Sequence, residues 1–289
     1  MPEAQPREFE IGARSGGTLR GLYYESKEAD ASLPTALCIH GFSADANSMH
    51  WVASALNRSG MNAVVPDMRA HGLSDSTRTR IVGPNRLSKE VAEICEKLDL
   101  RRIIVVTQSF GGWIGLRLLQ DHPPDLEIEG FHAFAPNWFM EPRPWREIRE
   151  WLPRSRRILW RLGRTNGFLS RRKPTRIDYD RYAGTPDFHP PRMREEVSAM
   201  SWPSYAVLFS RIQWLRHGRC PDWTSLSPLP VQIMAARHDK LVENTELEGI
   251  ADRTGWPLGW IECGHVGVST EKVHGDAFAQ SILATQPTA

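Results

Sequence analysis

Short apolar runs and amphipathic segments alternate along most of the 289-residue chain. Near the N-terminus, residues 7–13 and 18–24 are separated by Ser15-Gly16-Gly17, which predicts a β-hairpin. Farther on, buried-strand patterns alternate with helical periodicity. This order predicts an α/β protein with a mostly parallel sheet flanked by helices. The predicted strands are residues 35–39, 62–65, 102–107, 130–135, 229–236 and 258–261, and the predicted helices are residues 47–57, 87–98, 113–119 and 243–250.

The pattern changes after residue 137. The next ninety or so residues contain no convincing strand, and several prolines interrupt them. We therefore predict a core domain formed by residues 1–137 and 229–289, with residues 138–228 inserted as a helical subdomain. The helical candidates within the insertion are residues 145–162, 191–200 and 204–217.

Ser109 lies between a predicted strand and a predicted helix, in the sequence Thr107-Gln108-Ser109-Phe110-Gly111-Gly112. A serine at such a turn, with small residues two and three places on, is typical of a nucleophile elbow. Thr107 differs from the usual pattern, because a glycine normally stands there and lets the helix approach the strand. A serine in an x-S-x-G string is common, so its partners decide the interpretation.

Two further residues follow predicted strands in the order that this chemistry requires. A serine hydroxyl needs a histidine to accept its proton, and the histidine needs a carboxylate to orient it. Asp239 follows the strand 229–236, and His265 follows the strand 258–261. Parallel strands bring such residues to one edge of the sheet, so we predict a catalytic triad of Ser109, Asp239 and His265. Alternatively, Asp239 is an ordinary helix cap and His265 a partly buried loop residue.

An oxyanion site is predicted beside the serine. The strand 35–39 leads into His40-Gly41-Phe42, where the glycine permits an unusual backbone turn. The backbone amides of Phe42 and Phe110 are predicted to stabilise the oxyanion, while His40 braces the loop. An ordinary strand-ending turn is the alternative.

A fourth segment, Pro66-Asp67-Met68-Arg69-Ala70-His71-Gly72-Leu73-Ser74, resembles the D-x-R-G-H-G-x-S pattern with Ala70 in place of a glycine. With the segments above, it makes residues 17–137 and 229–285 resemble the α/β-hydrolase superfamily. Within that superfamily the resemblance is to monoacylglycerol-lipase and serine-aminopeptidase-like esterases. It implies the α/β-hydrolase fold, with the inserted segment as a cap over the active site. We expect Asp67, Arg69 and His71 to be structural, with Asp67 and Arg69 paired.

Aromatic and basic residues are concentrated in the insertion. Seven of the eleven tryptophans lie in it or at its start, and Trp138 and Trp214 are predicted to line an apolar substrate pocket, although they alternatively form the cap's own core. Residues 143–181 contain thirteen basic against four acidic residues, a net charge of +9 in a chain of +2. This charge is expected to attract anionic substrates or lipid surfaces, or else to form only a solvated helix face.

Composition narrows the protein class further. No apolar run approaches the roughly 20 residues that span a bilayer, and the N-terminus lacks the apolar stretch of a signal peptide, so we expect a cytoplasmic protein. The four cysteines show no C-x-x-C spacing, which argues against a zinc site or a disulfide framework. No metal or organic cofactor is expected.

Together these features predict a serine hydrolase that cleaves a carboxylic ester of a small to medium, largely apolar substrate through an acyl-enzyme. A lactonase, a thioesterase or a C–C bond hydrolase would use the same triad. More distant alternatives are a cofactor-independent dioxygenase and a ligand receptor on the same scaffold. A small-molecule ester is the expected partner; nucleic acid is not expected, and the sequence does not fix the oligomeric state.

Overall fold

The computed structural model describes residues 5–27, 30, 32–42, 44–75, 84–138 and 229–286. An eight-stranded sheet with the order β1-β2-β4-β3-β5-β6-β7-β8 runs through this part of the chain. The predicted hairpin is present, and every predicted strand is found within a few residues of its expected bounds. The strands are β1 (Arg7–Gly12), β2 (Thr18–Tyr24), β3 (Thr35–Ile39), β4 (Ala63–Pro66), β5 (Arg102–Gln108), β6 (Glu127–Phe134), β7 (Val231–Ala236) and β8 (Leu258–Ile261).

The sheet is antiparallel at its N-terminal side and parallel elsewhere. Strand β2 pairs antiparallel with both β1 and β4. From β4 onward, every neighbouring pair of strands is parallel. The carboxyl ends of β3, β5, β7 and β8 therefore meet at one edge of the sheet, which is where open α/β sheets bind ligands.

Helices cover both faces of the sheet. One apolar core joins the sheet to α2, α3 and α4, and a second joins its other face to α1, α5 and α6. Burial on both faces explains why the central strands are continuous apolar runs. The helices are a 3₁₀ turn (Ala46–Met49), α1 (His50–Arg58), α2 (Pro84–Lys97), α3 (Gly111–Asp121), α4 (Asn244–Thr254), α5 (Gly267–Thr270) and α6 (Lys272–Leu283).

The sequence patterns assigned no helix after His265, yet α5 and α6 follow it. Gly275 weakens the helical signal of α6, but it is needed for tertiary packing. A Cβ atom at Gly275 would lie 2.4 Å from the Cβ atom of Trp51 on α1. The close contact between these two helices therefore selects glycine at a position where local propensity disfavours it.

Helix α3 packs closely on β5 although Thr107 replaces the glycine usual in an elbow. The glycine is found on the helix instead: a Cβ atom at Gly115 would lie 2.9 Å from Thr107 Cγ2 and 2.7 Å from Phe131 Cε2. Thr107 is fully buried, and its methyl group occupies the space that Gly115 leaves. The small residue that permits close packing has moved from the strand to the helix.

His132 is a buried histidine in β6. Its Nδ1 lies 3.2 Å from Gln232 Oε1, whereas its buried Nε2 has no hydrogen-bond partner. Burial lowers the pKa of His132 from 6.5 to about 4, although the contact with Gln232 acts in the opposite direction. The ring is therefore neutral in the folded protein at neutral pH.

Substitution of Gly115 and Thr107 tests the packing of α3. Gly115→Ala is expected to lower the free energy of unfolding by about 1–3 kcal/mol, because the new methyl group overpacks the interface. In a Thr107→Gly background the same change should cost about 1 kcal/mol less, since one of the two clashing groups is gone. Urea unfolding of the two single variants and the double variant measures this coupling. Strictly additive costs would contradict the account.

The buried His132 makes stability depend on pH. Because its folded-state pKa lies below the ordinary value of 6.5, its contribution is complete above that pH and is lost as the pH falls towards 4. The loss approaches about 1.4 kcal/mol per pH unit within that window. Urea unfolding at a series of pH values should show a shallower dependence for His132→Gln than for the wild type. The same slope for both proteins would remove His132 from the explanation.

Candidate active site

Ser109 lies in a sharp turn between β5 and α3. Its φ angle is 49°, in the left-handed region that side chains other than glycine rarely adopt. Its backbone N–H donates to the Phe134 carbonyl at 3.0 Å, and its carbonyl accepts from Gly112 N–H at 3.0 Å. Left-handed backbone costs about 1–2 kcal/mol at such a residue. These hydrogen bonds on both sides hold the turn, which is the geometry of a nucleophile elbow.

The residue two places after Ser109 must be small. A Cβ atom at Gly111 would lie 2.3 Å from the Ile39 carbonyl oxygen at the end of β3, so only glycine fits there. Its neighbour Gly112 faces Trp138, whose Nε1 would lie 2.8 Å from an added Cβ atom. The first turn of α3 is thus packed between the end of β3 and the segment after β6.

Asp239 and His265 reach Ser109 from two other strand ends. Asp239 follows β7, and its Oδ1 accepts hydrogen bonds from the backbone of Leu241 at 2.7 Å and Val242 at 2.8 Å. Its other oxygen, Oδ2, lies 2.7 Å from His265 Nδ1. On the far side of the ring, His265 Nε2 lies 2.8 Å from Ser109 Oγ. The structure therefore brings together the three residues that the sequence predicted to act together.

These contacts assign a role to each nitrogen of the imidazole. Nδ1 faces a carboxylate and carries the proton, which leaves the Nε2 lone pair to accept from the Ser109 hydroxyl. The side chains of His265 and Asp239 are 8% and 1% exposed. Chemically, the arrangement is that of a hydroxyl next to an oriented general base, which can activate the hydroxyl as a nucleophile.

The predicted oxyanion loop lies against the serine. A Cβ atom at Gly41 would be 3.4 Å from Ser109 Cβ. The rings of Phe42 and Phe110 meet edge to face, with 5.9 Å between their centroids. The two residues whose amides were predicted to stabilise an oxyanion are therefore neighbours beside Ser109.

His40 braces this loop from beneath. Its Nδ1 donates to the Gly41 carbonyl at 2.7 Å, and its Nε2 accepts from the Met68 backbone N–H at 3.1 Å. Burial lowers the pKa of His40, although the nearby Asp67 carboxylate opposes the shift. A neutral ring is needed for this pattern, since Nε2 must accept. His40 thus joins the end of β3 to the end of β4.

The segment after β4 has a structural role, but one predicted contact is wrong. Asp67 accepts from the backbone N–H groups of Ala46 at 2.7 Å and Leu73 at 2.8 Å. Arg69 does not pair with Asp67; its Nε lies 2.7 Å from Glu90 Oε1 on α2. Both members of that ion pair are almost completely buried. The helix supplies the carboxylate, which adjacency along the sequence could not reveal.

Ala70 and His71 complete this segment. Ala70 has a φ angle of 67° at the position where the D-x-R-G-H-G-x-S pattern has glycine, so the left-handed turn is kept without that glycine. His71 Nδ1 lies 3.1 Å from the Arg69 carbonyl oxygen, and its ring lies edge to face with Phe42. Burial lowers the pKa of His71 to about 3, with a smaller contribution from His40.

The two tryptophans predicted to line a pocket differ in what the structure describes. Trp138 is 1% exposed and packs against Phe131 and Trp256, at 5.9 and 6.2 Å between ring centroids. Its described neighbours belong to the core, and a role towards substrate stays a prediction. Trp214 lies outside the described residues, as do the predicted cap helices and the basic segment 143–181.

Sequence reasoning missed two polar residues at the site. Gln108 Nε2 donates to the His265 carbonyl at 3.3 Å, and Gln108 Oε1 accepts from Ser269 Oγ at 3.2 Å. The signal available in the sequence was a buried-strand position occupied by an amide, directly before the serine. Its partners lie more than 150 residues away along the chain, so only the fold could identify them.

The described residues were also examined for metal-binding and membrane-spanning features. No group of three or more His, Cys, Asp or Glu side chains among them is arranged to hold a metal ion. Within the same residues, no helix has both the length and the apolarity needed to cross a bilayer.

Comparison with known proteins adds independent information. The magnesium-chelatase 30 kDa subunit of Rhodobacter capsulatus is 27% identical over 123 residues, which are 43% of this chain and 42% of that protein. The chain spans less than half the length of the curated relatives that it matches.

Solved structures resemble the whole chain. An esterase from Exiguobacterium antarcticum superposes with a TM-score of 0.69 at 17% identity, covering 95% of this chain and 97% of the esterase. The N-acyl homoserine lactonase AidH, complexed with N-hexanoyl homoserine, gives a TM-score of 0.69 at 16% identity and covers 99% of each chain. At such identities the likeness concerns the fold.

The sequence model of the alpha/beta hydrolase fold matches residues 34–267. This range contains the turn at Ser109 and the residues Asp239 and His265 that contact it. Because the match covers most of the chain and agrees with the sheet order, the protein belongs to the alpha/beta hydrolase fold family.

Proposed function

We propose that this protein is a serine hydrolase that cleaves carboxylic esters through an acyl-enzyme. The observation that carries the proposal is the imidazole of His265, which lies 2.8 Å from Ser109 Oγ on one side and 2.7 Å from Asp239 Oδ2 on the other. Ser109 is the nucleophile, His265 the general base and Asp239 the residue that orients the imidazole and stabilises its protonated form.

The first half-reaction forms the acyl-enzyme. Ser109 Oγ attacks the ester carbonyl carbon while its proton moves to His265 Nε2. The carbonyl oxygen becomes an oxyanion, which the backbone amides of Phe42 and Phe110 stabilise. When the tetrahedral intermediate collapses, the bond to the alcohol oxygen breaks and His265 donates its proton to that oxygen. The alcohol leaves, and the acyl group stays bound to Ser109.

The second half-reaction uses water in the same way. His265 Nε2 removes a proton from a water molecule as its oxygen attacks the acyl carbon. The resulting intermediate breaks its bond to Ser109 Oγ, which takes back the proton from His265. The carboxylic acid is released, and the enzyme returns to its starting state without a net change in protons on the protein.

An apolar substrate of small to medium size fits the surroundings of the serine. Phe42 and Phe110 are the aromatic neighbours on the oxyanion side, and Ser109 itself is only 9% exposed. We further propose that residues 138–228 form a cap, with Trp138 and Trp214 towards the substrate. A cap over the serine would exclude water and select the acyl group.

Lactone hydrolysis is the second candidate. A lactone is a cyclic ester, so the same residues would carry out the same steps, except that the alcohol stays attached to the acyl product. The structural likeness to the N-acyl homoserine lactonase AidH over the whole chain favours this candidate. Thioesters differ only in the leaving atom and belong in the same substrate panel.

The serine and its carboxylate partner are tested by substitution. Ser109→Ala is expected to lower kcat by about 10⁴-fold or more, because no other group replaces the hydroxyl. Asp239→Asn should lower kcat by about 10⁴-fold, since the imidazole loses the carboxylate that fixes its tautomer. Hydrolysis of p-nitrophenyl acetate and butyrate, with circular dichroism to confirm folding, measures both effects.

Ser281→Ala is the matched control, because it removes a hydroxyl from α6 that donates only to the local Phe278 carbonyl. A fluorophosphonate probe should label Ser109 in the wild type and in the control, and mass spectrometry of peptides identifies the site. Panels of esters, lactones and thioesters then distinguish the substrate classes. Undiminished turnover by Ser109→Ala would sink the mechanism, whereas labelling of Ser109 without any turnover would favour a ligand receptor.

A further inference from the structure

The side chain of Gln108 bridges two elements that carry the proposed chemistry. Gln108 is the last residue of β5, directly before Ser109, and only 3% of it is exposed. Its Nε2 donates to the backbone carbonyl of His265 at 3.3 Å. Its Oε1 accepts from Ser269 Oγ on α5 at 3.2 Å. One buried amide therefore connects the nucleophile strand to the loop and the helix on either side of His265.

The orientation of this amide is set by its partners. A carbonyl oxygen such as that of His265 can only accept a hydrogen bond, so it must face the amide nitrogen. The Ser269 hydroxyl can donate to the amide oxygen, which completes the pair. Gly41 adds a steric limit, because a Cβ atom there would lie 3.4 Å from Gln108 Oε1. Both polar ends of the side chain are thus used in one orientation.

The bridge supports the part of His265 that Asp239 does not reach. Asp239 contacts the Nδ1 atom of the ring, but the main chain of His265 lies in the connection between β8 and α5. Among the described residues, Gln108 Nε2 is the donor that we find on the His265 carbonyl oxygen. Because Ser109 follows Gln108 directly, the position of the His265 main chain is referred to the same strand end that holds the hydroxyl.

We propose that Gln108 is a positioning residue that holds the His265 loop at the distance required for proton transfer from Ser109. This role rests on the proposed serine hydrolase function. Gln108 does not touch the Ser109 Oγ–His265 Nε2 pair; it acts through the backbone on both sides of that pair. A misplacement of about 1 Å can cost on the order of 100-fold in rate, so a small shift of this loop is sufficient to affect chemistry.

The experiment compares Gln108→Met with the wild type. Methionine keeps the length and apolar volume but removes both the donor and the acceptor. We expect kcat for p-nitrophenyl acetate to fall about 10- to 100-fold with KM changed less than about 2-fold, because substrate binding does not involve Gln108. The rate of fluorophosphonate labelling at Ser109 should fall by a similar factor. Ser269→Ala, which removes one of the two contacts, should give a smaller loss of the same kind.

Thr270→Val is the matched control on α5. Its hydroxyl donates to the Val266 carbonyl at 3.2 Å and does not contact Gln108, so kcat should stay within about 2-fold of the wild type. The double variant Gln108→Met/Ser269→Ala should be no slower than Gln108→Met alone, since both changes break one bridge. Hydrogen exchange of the amides in residues 264–270 should become faster in Gln108→Met but not in Thr270→Val.

Three results would overturn the proposal. One is a folded Gln108→Met whose kcat and labelling rate match the wild type. Another is a loss of kcat in Thr270→Val as large as that in Gln108→Met, which would indicate general damage to α5. The third is a loss that arises entirely in KM. If Gln108→Met does not fold, Ser269→Ala and its hydrogen exchange decide the question by the same criteria.

Failure of the proposed function has a different signature. In that case the wild-type protein itself would show neither turnover nor labelling at Ser109, and the positioning role would fall with it. A wild type that reacts normally beside an unaffected Gln108→Met would leave the hydrolase function standing and would reject only the role of Gln108.

Discussion

The turn at Ser109 is the constraint on which the site depends. The chain leaves β5 at Gln108 and begins α3 at Gly111, so the serine has to adopt a φ angle of 49°. This strain persists because the surroundings specify it: backbone hydrogen bonds hold both sides of the turn, and Gly111 lies against the end of β3. The strained backbone places the hydroxyl at the rim of the sheet, where residues from other strands can reach it.

The parallel strands determine which residues reach that hydroxyl. Strands β7 and β8 end at the same edge as β5, and the loops that follow them carry Asp239 and His265. Asp239 is fixed by two backbone amides, which leaves one carboxylate oxygen for the imidazole. Gln108 then connects the main chain of His265 to β5. Hydrogen bonds to rigid strand ends thus define the position of each group.

Buried histidines around the site serve the fold as neutral hydrogen-bonding groups. Burial lowers the pKa values of His40 and His71, and His132 in β6 shows the same effect. His40 uses its neutral form to join the ends of β3 and β4, which lie beside the proposed oxyanion loop. A charged ring at any of these positions would be costly, because it would lie in a dry interior.

The sequence by itself determined the order of strands and helices, the sharp turn at Ser109 and the chain order of Ser109, Asp239 and His265. These features follow from local patterning and from the rule that parallel strands end at a common edge, so they need no knowledge of side-chain contacts. The α/β-hydrolase fold could be predicted for the same reason, with the bounds of most strands correct to a few residues.

Only the tertiary structure decided which distant side chains meet. It paired Arg69 with Glu90 instead of Asp67, placed the packing glycine at Gly115 opposite Thr107, and joined Gln108 to the His265 loop. Helix α6 was missed because its Gly275 opposes helix propensity and is explained only by contact with α1. The physical reason is the same in each case: a residue's identity at these positions answers to a neighbour far away along the chain, and no local pattern records that neighbour.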